Sequence, residues 1–467
     1  MTVTAPRVRL APLMTALLAA CVAFQLNASM LSPVLVTMAD ELGTDDASIG
    51  LSQTMFFTGA ALFSLFLPRL SDIVGRKRVL TWMLAVMTVG TVLAALAPTV
   101  EVLYVARIIQ GVSGPVVPLC LIMLRHEIAD PKTYGTLMGV VTAVNGGIAG
   151  VDALAGGFLA ANYGFRSVFW TIAVVAVIGT VLVARWAPES RPSAGTRMDW
   201  IGVAPLVLAI ALLLTGLNEA GKTTDANWLL VGGLLVGALV ALIVFWLVEK
   251  RQAEPMIAPA HLRRRSTWAV LLTTLLTMTG VFATVNGLVM SLAQNGDIGF
   301  GLGADTASLL FLTPYALVGW AVGPFAGRLA PTWGYRTVLR IGLAGTAVGM
   351  LVMALLGLHS LPVLIATTVF LGMTYAGISN IMLNGLGVVL APADNPGVLP
   401  GLNAGAFNLG AGVSFAVLPA VQLLVSPDGD STSGYLAGIV VGLVFVALAL
   451  ATSFLIPRPA DGELTRA

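Results

Sequence analysis

Fourteen long apolar runs, separated by short polar breaks, make up most of the chain. They cover 11–38, 48–67, 79–97, 101–124, 134–160, 167–187, 200–217, 228–248, 268–291, 306–326, 338–357, 362–389, 398–425 and 434–456. Each is near or above the ~20 residues that a helix needs to cross a bilayer. The pattern predicts an all-α membrane protein with about 14 transmembrane helices. The run holding Thr215 to Asn218 and the run broken near Pro314 are the least regular. The first run is too long for the apolar core of a secretory signal and more spans follow it, so it is expected to be retained as a helix.

Composition agrees. Only 10% of the residues are charged and 57% are hydrophobic, against about 25% charged in a soluble domain. The mean hydropathy is +0.94. A net charge of +2 decides nothing, but the placement of the charges does. With the N-terminus inside, 21 of the 24 Lys and Arg fall at inner helix ends; Arg166 and Lys222 fall outside and Arg107 lies within a span. Short basic loops face the cytoplasm. The expectation is a multi-pass protein of the cytoplasmic membrane with both termini cytoplasmic.

Cys21 and Cys120 both lie in apolar spans and offer no disulfide framework. The sequence contains no metal-ligand cluster, P-loop or nucleotide fingerprint, and no soluble catalytic domain remains once the spans are assigned. Neither an enzyme, nor a resident cofactor, nor a metal site is expected. The expected partners are a small-molecule substrate and the lipid bilayer, with no nucleic acid, and the chain is expected to act as a monomer.

The chain repeats internally. "PRLSDIVGRKRVL" (Pro68–Leu80) returns as "GRLAPTWGYRTVL" (Gly327–Leu339), an offset of 259. "VLYVARIIQG" (Val102–Gly111) aligns with "VLIATTVFLG" at 261, and the segment from Gly135 aligns with that from Gly397 at 262. At the last offset Gly135, Leu137, Gly139, Gly150 and Val151 all meet identical residues. Three consistent offsets predict two related six-helix halves, within residues 1–187 and 268–467. Two extra helices fall in the connecting segment 188–267. Duplicated halves around a midplane site are a transporter architecture.

These segments resemble the major facilitator superfamily. In "PRLSDIVGRKRVL" the residues Leu70, Asp72, Gly75, Arg76, Lys77 and Leu80 match its loop motif between the second and third helices. Leu103, Arg107, Gln110, Gly111 and Gly114 match its fourth-helix motif. The two central helices followed by "EPMIAPAHLRRRSTW" (Glu254–Trp268) resemble the fourteen-helix drug:proton antiporter branch. The resemblance implies a secondary transporter working by alternating access, with Asp72, Gly75, Arg76 and Lys77 in gating. It points to proton-coupled efflux of drug-like compounds or metabolites, in the manner of multidrug resistance antiporters. Two departures point instead to an importer of a small organic nutrient. Asn27 stands where that branch has a first-helix acid, and "DALAGG" replaces the fifth-helix antiporter pattern.

Asp152 is the one acid deep within a firmly assigned span. Intramembrane charges face the bundle interior, pair and mark a pathway. At 1.5 Å per residue, Arg107 and Asp152 sit roughly 6 Å apart in depth, so Arg107 is the expected partner and the two together the proton-coupling site. The alternative is a fixed ion pair bracing two helices. In the second half their counterparts are Thr368 and Ser414, so the scaffold alone does not require the charges. Gln25, Asn27, Gln110, Asn145, Asn286, Asn380 and Asn384 are the candidate substrate-binding residues, with Asn403 and Asn408 weaker. Each is equally suited to bridging helices by a hydrogen bond. An interior of this kind is polar but almost uncharged and suits a neutral or mildly amphipathic organic molecule.

Overall fold

The computed structural model describes residues 10–31, 34–44, 46–190, 198–220, 226–252, 259–392, 397–426 and 431–458. Among them there is no strand. Thirteen helices are long and apolar enough to cross a membrane. These are α1 (Leu10–Ser29), α2 (Asp46–Val74), α3 (Arg76–Ala95), α4 (Val100–Glu127), α6 (Phe165–Trp186), α7 (Trp200–Ala220), α8 (Trp228–Glu249) and α9 (Arg265–Gln294). They continue with α10 (Ser308–Trp333), α11 (Tyr335–Leu356), α12 (Leu361–Val389), α13 (Val398–Val425) and α14 (Thr432–Ser453). Packed in line with them is α5 (Pro131–Tyr163), 33 residues long, which makes about fourteen spans in all.

The first apolar run is shorter than its sequence suggests. The chain leaves α1 at Ser29, turns at Met30 and Leu31, and resumes as an eight-residue helix, Leu35–Leu42. The run through Pro314 is continuous instead: the chain stays helical from Ser308 to Trp333, with a π-helical turn at Ser308–Leu312 directly before the α-helical segment that holds Pro314. Asp130 sets the start of α5, its carboxylate accepting from Thr133 N at 2.8 Å and Thr133 Oγ1 at 2.6 Å. The two donors hold that carboxyl below its ordinary range. The α2–α3 corner is one residue, Gly75, at φ 118°, and its repeat counterpart Gly334 makes the α10–α11 corner at φ 88°. An L side chain is strained at both.

The extra helices α7 and α8 pack on each other, and α7 also touches α2 and α13. Contact between the two six-helix sets runs mainly along α5 against α10 and α2 against α13. Glycine allows both seams. Gly135 and Gly327 leave no room for a Cβ against each other's carbonyls, and a Cβ on Gly139 would lie 2.5 Å from Gly323 O. On the other seam a Cβ on Gly401 would lie 2.8 Å from Ser64 O. Close backbone approach replaces the weak driving force between apolar helices in lipid.

These approaches lie toward one end of the bundle, the basic end that carries Arg76, Arg78, Arg263 and Arg336. There a single buried cluster runs through both halves, from Leu13, Leu84 and Met138 to Leu339 and Leu383. At the far end each half keeps its own cluster. One is built on Leu31, Leu103 and Phe169, the other on Leu292, Phe311 and Tyr435. The conformation is therefore sealed at the basic end, with separate cores at the far end.

Candidate functional site

Among the described residues, polar assemblies are built in the apolar interior on Asp72, Arg107 and Asp152. The first lies on the α2–α13 seam at the basic end. Asp72 Oδ1 accepts from Arg76 Nε at 3.2 Å and Nη2 at 3.1 Å. Its Oδ2 accepts from Gly397 N at 2.8 Å. Gly397 is the N-cap of α13, so one carboxylate in the first half caps a helix of the second. Negative charge at a helix N-terminus is favourable. The position of Asp72 differs from that expected for an acid in an open loop: it is 6% exposed, inside α2. Gly75, Arg76 and Lys77 start α3 under a second clamp. Ser190 Oγ accepts from Arg76 N at 2.9 Å and Glu189 Oε1 from Lys77 N at 3.2 Å. Lys77 takes part through its backbone.

The second assembly is a hub around Arg107, which is 0% exposed. Its Nη1 donates to Asn27 O at 3.0 Å and Gln110 Oε1 at 2.7 Å, and its Nη2 donates to Gln53 Oε1. The guanidinium lies 4.4 Å from the centre of the Phe56 ring. Thr91 Oγ1 links Asn27 Oδ1 and Gln110 Nε2, both at 3.2 Å. Asn27 and Gln110, expected in the cavity, are thus fully buried members of this hub. They tie α1, α3 and α4 together.

The third is Asp152, 3% exposed on α5. Ser29 Oγ donates to its Oδ2 at 2.5 Å, and Gln25 Nε2 donates to Ser29 Oγ at 3.0 Å. Asp152 Oδ1 is buried and has no hydrogen-bond partner. The expected Arg107–Asp152 pair is not formed. The end of α1 lies between them: Asn27 turns its carbonyl to Arg107, and Ser29 turns its hydroxyl to Asp152. Their depths are compatible, but they face opposite sides of α1. Asn145 stands seven residues before Asp152 and so on the same face of α5, and its Oδ1 is also buried without a partner.

An outcome follows for stability. Arg107→Ala orphans the buried acceptors on Asn27 and Gln110, at about 1–3 kcal/mol each, and releases the half-buried Gln53. It should therefore lower the thermal midpoint of the detergent-purified protein markedly. Since Asp152 is not its partner, adding Asp152→Asn should not restore stability. A double-mutant coupling energy well above about 0.5 kcal/mol would show that the two charges interact after all.

The remaining candidates lie in the second half. Asn380 and Asn384 are half-buried on α12 and bonded to each other at 3.0 Å. Asn286 is exposed on α9. Asn403 braces helices, accepting from Thr274 at 2.6 Å and donating to Leu383 O at 3.1 Å. Two features have no signature in the sequence pattern. One is a set of π-helical segments at Thr284–Val289, Ser308–Leu312 and Gly372–Ser379, all in the second half among the described residues. Such irregularities concentrate at functional sites. The other is a run of phenylalanine rings, Phe24, Phe56, Phe57, Phe282 and Phe415, that crosses from one half to the other. Ser29 and Gln53 were also not singled out by sequence.

Comparison with known proteins places this geometry. The sequence profile described as Major Facilitator Superfamily matches residues 17–415. The chain is 52% identical over 459 residues to the "Uridine/deoxyuridine transporter" of Lactococcus lactis subsp. cremoris (strain MG1363), covering 97% of this chain and 95% of that one. It is 26% identical to "Multidrug resistance protein 3" of Bacillus subtilis (strain 168), over 61% of this chain and 55% of that one. The fold is similar to a solved structure of the proton:xylose symporter XylE, with TM-score 0.67 at 13% identity, covering 97% of this chain and 98% of that one.

Proposed function

The chain belongs to the major facilitator superfamily, and from that premise we propose that it takes up pyrimidine nucleosides of the uridine and deoxyuridine class. It is a multi-pass membrane protein and a secondary transporter, not an enzyme. The observation that carries the substrate is the 52% identity, which extends over nearly the full length of both chains. The efflux suggested by the antiporter branch rests on relatives near 26% identity that align over a smaller share of the chain. Uptake, the alternative raised by Asn27 and by "DALAGG", is the better supported reading.

The physical chemistry supports it. A nucleoside is neutral and carries many hydrogen-bonding groups. The polar groups outside the Arg107 hub are mainly amides and hydroxyls. In the proposed orientation the basic end faces the cytoplasm with both termini, which the distribution of Lys and Arg supports. The separate cores then lie on the outer side, where an importer collects its substrate. Asp152 is the proposed proton carrier, because its Oδ1 is a buried acceptor with nothing else bound to it.

The test is uptake of radiolabelled uridine by proteoliposomes holding the purified protein. Imposed external acid should drive accumulation above the outside concentration, and a protonophore should collapse it. Absence of uridine transport, with extrusion of a drug panel from inverted vesicles, would return the reading to efflux.

A further inference from the structure

Four ring contacts join end to end. Phe24 lies 6.3 Å from Phe56, and Phe56 lies 5.3 Å from Phe57. Phe57 then meets Phe282 at 6.2 Å, and Phe282 meets Phe415 at 5.7 Å. The last two contacts are edge-to-face, at 83° and 86°. Phe57 belongs to α2 of the first half, and Phe282 and Phe415 to α9 and α13 of the second. The run therefore bridges the two bodies that must part during alternating access. Phe57 and Phe282 are half-buried and Phe415 is exposed, so ring surface is open to a ligand.

Phe282 stands two residues before the π-helical segment Thr284–Val289. Within that segment Asn286 donates its Nδ2 to Phe282 O at 3.0 Å, which sets the amide one turn above the ring. Asn286 is exposed, yet it lies eight residues from the end of α9 at Gln294, or roughly 12 Å deep. Hydrocarbon does not accommodate an exposed amide at that depth, so the side chain faces the cleft between the halves. Its Oδ1 and second N–H remain to offer one acceptor and one donor side by side.

Resting on the nucleoside reading, we propose that Phe282, flanked by Phe57 and Phe415, stacks the pyrimidine ring and that Asn286 reads its edge. Uracil presents a ring N–H between two carbonyls, and an amide meets one N–H and one carbonyl of that edge in two parallel hydrogen bonds. A site that takes the sugar with or without its 2′-hydroxyl must recognise the base, and here an exposed amide adjoins aromatic rings contributed by both halves. Phe57, Phe282, Phe415 and Asn286 are all uncharged, which suits a neutral nucleoside better than a nucleotide.

The experiment measures uridine exchange in proteoliposomes for the wild type, Phe282→Leu, Phe282→Tyr and Asn286→Leu. Stacking on an aromatic ring supports a KM increase of about tenfold in Phe282→Leu, with kcat changed far less. Phe282→Tyr, which restores a ring, should recover most of the lost affinity. Asn286→Leu should raise KM and weaken the advantage of uridine over free ribose as a competitor. Wild-type KM in both leucine variants, or equal damage from leucine and tyrosine at 282, overturns the stacking assignment and leaves nucleoside transport standing. No uridine exchange by the wild type overturns the nucleoside reading itself.

Discussion

Asp152→Asn should abolish accumulation of substrate against its gradient while exchange down the gradient survives. The substitution keeps the shape of the side chain and an oxygen for the Ser29 hydroxyl, so α1 and α5 should stay packed. What is lost is the carboxyl proposed to bind and release the proton. One pH unit is worth 1.36 kcal/mol, so a one-proton symporter can concentrate its substrate up to about tenfold per unit of gradient. The variant should settle near equal concentrations on both sides in the same vesicles. Ser29→Ala, which removes the hydrogen bond but not the acid, should move the pH dependence without removing coupling. Unchanged uphill transport and pH profile in Asp152→Asn would make Asp152 a brace between α5 and the end of α1, with the coupling group elsewhere.

Asp72→Asn should slow transport by about tenfold or more with a nearly normal yield of folded protein. The Asp72 carboxylate joins Arg76 to the N-cap of α13 in the sealed conformation. Losing the negative charge at a partly buried helix N-terminus costs about 0.5–2 kcal/mol. Because the contact bridges the two halves, that loss falls on one conformer and shifts the conformational ratio by roughly 2- to 30-fold. The check is a reporter cysteine at Ser64, which lies on the α2–α13 seam at 0% exposure. Ser64→Cys should react slowly with a thiol reagent applied from the basic side, and markedly faster when combined with Asp72→Asn. Equal reaction rates and normal transport in the double variant would remove Asp72 from gating.

The sequence pattern specifies this fold well, for a physical reason. In a bilayer each span must satisfy its own backbone, so apolar run length reports helix position almost directly. The repeat is legible too. Gly75 and Gly334 occupy the same place at an offset of 259 residues, and both adopt the positive φ that the corner needs. Depth along a helix is also readable by counting residues. What counting does not provide is the direction in which a side chain points around its helix. Arg107 and Asp152 match in depth, yet Arg107 turns to Gln53, Gln110 and one side of α1, while Asp152 turns to the other side. The phenylalanine run joins residues from four separated helices and leaves no local signature. The π-helical segments do not disturb apolar periodicity, because the spans holding them are apolar on most faces.

The shared core at the basic end has an electrical consequence. A cell membrane holds a voltage, and a protein that let water thread from face to face would discharge it. Here Leu84, Met138, Leu339 and Leu383, all at 0% exposure, belong to one continuous apolar plug that joins both halves. Moving an unpaired ion through such a low-dielectric layer costs up to tens of kcal/mol in the Born limit. The plug therefore acts as an insulator: many copies can sit in an energised membrane without draining it.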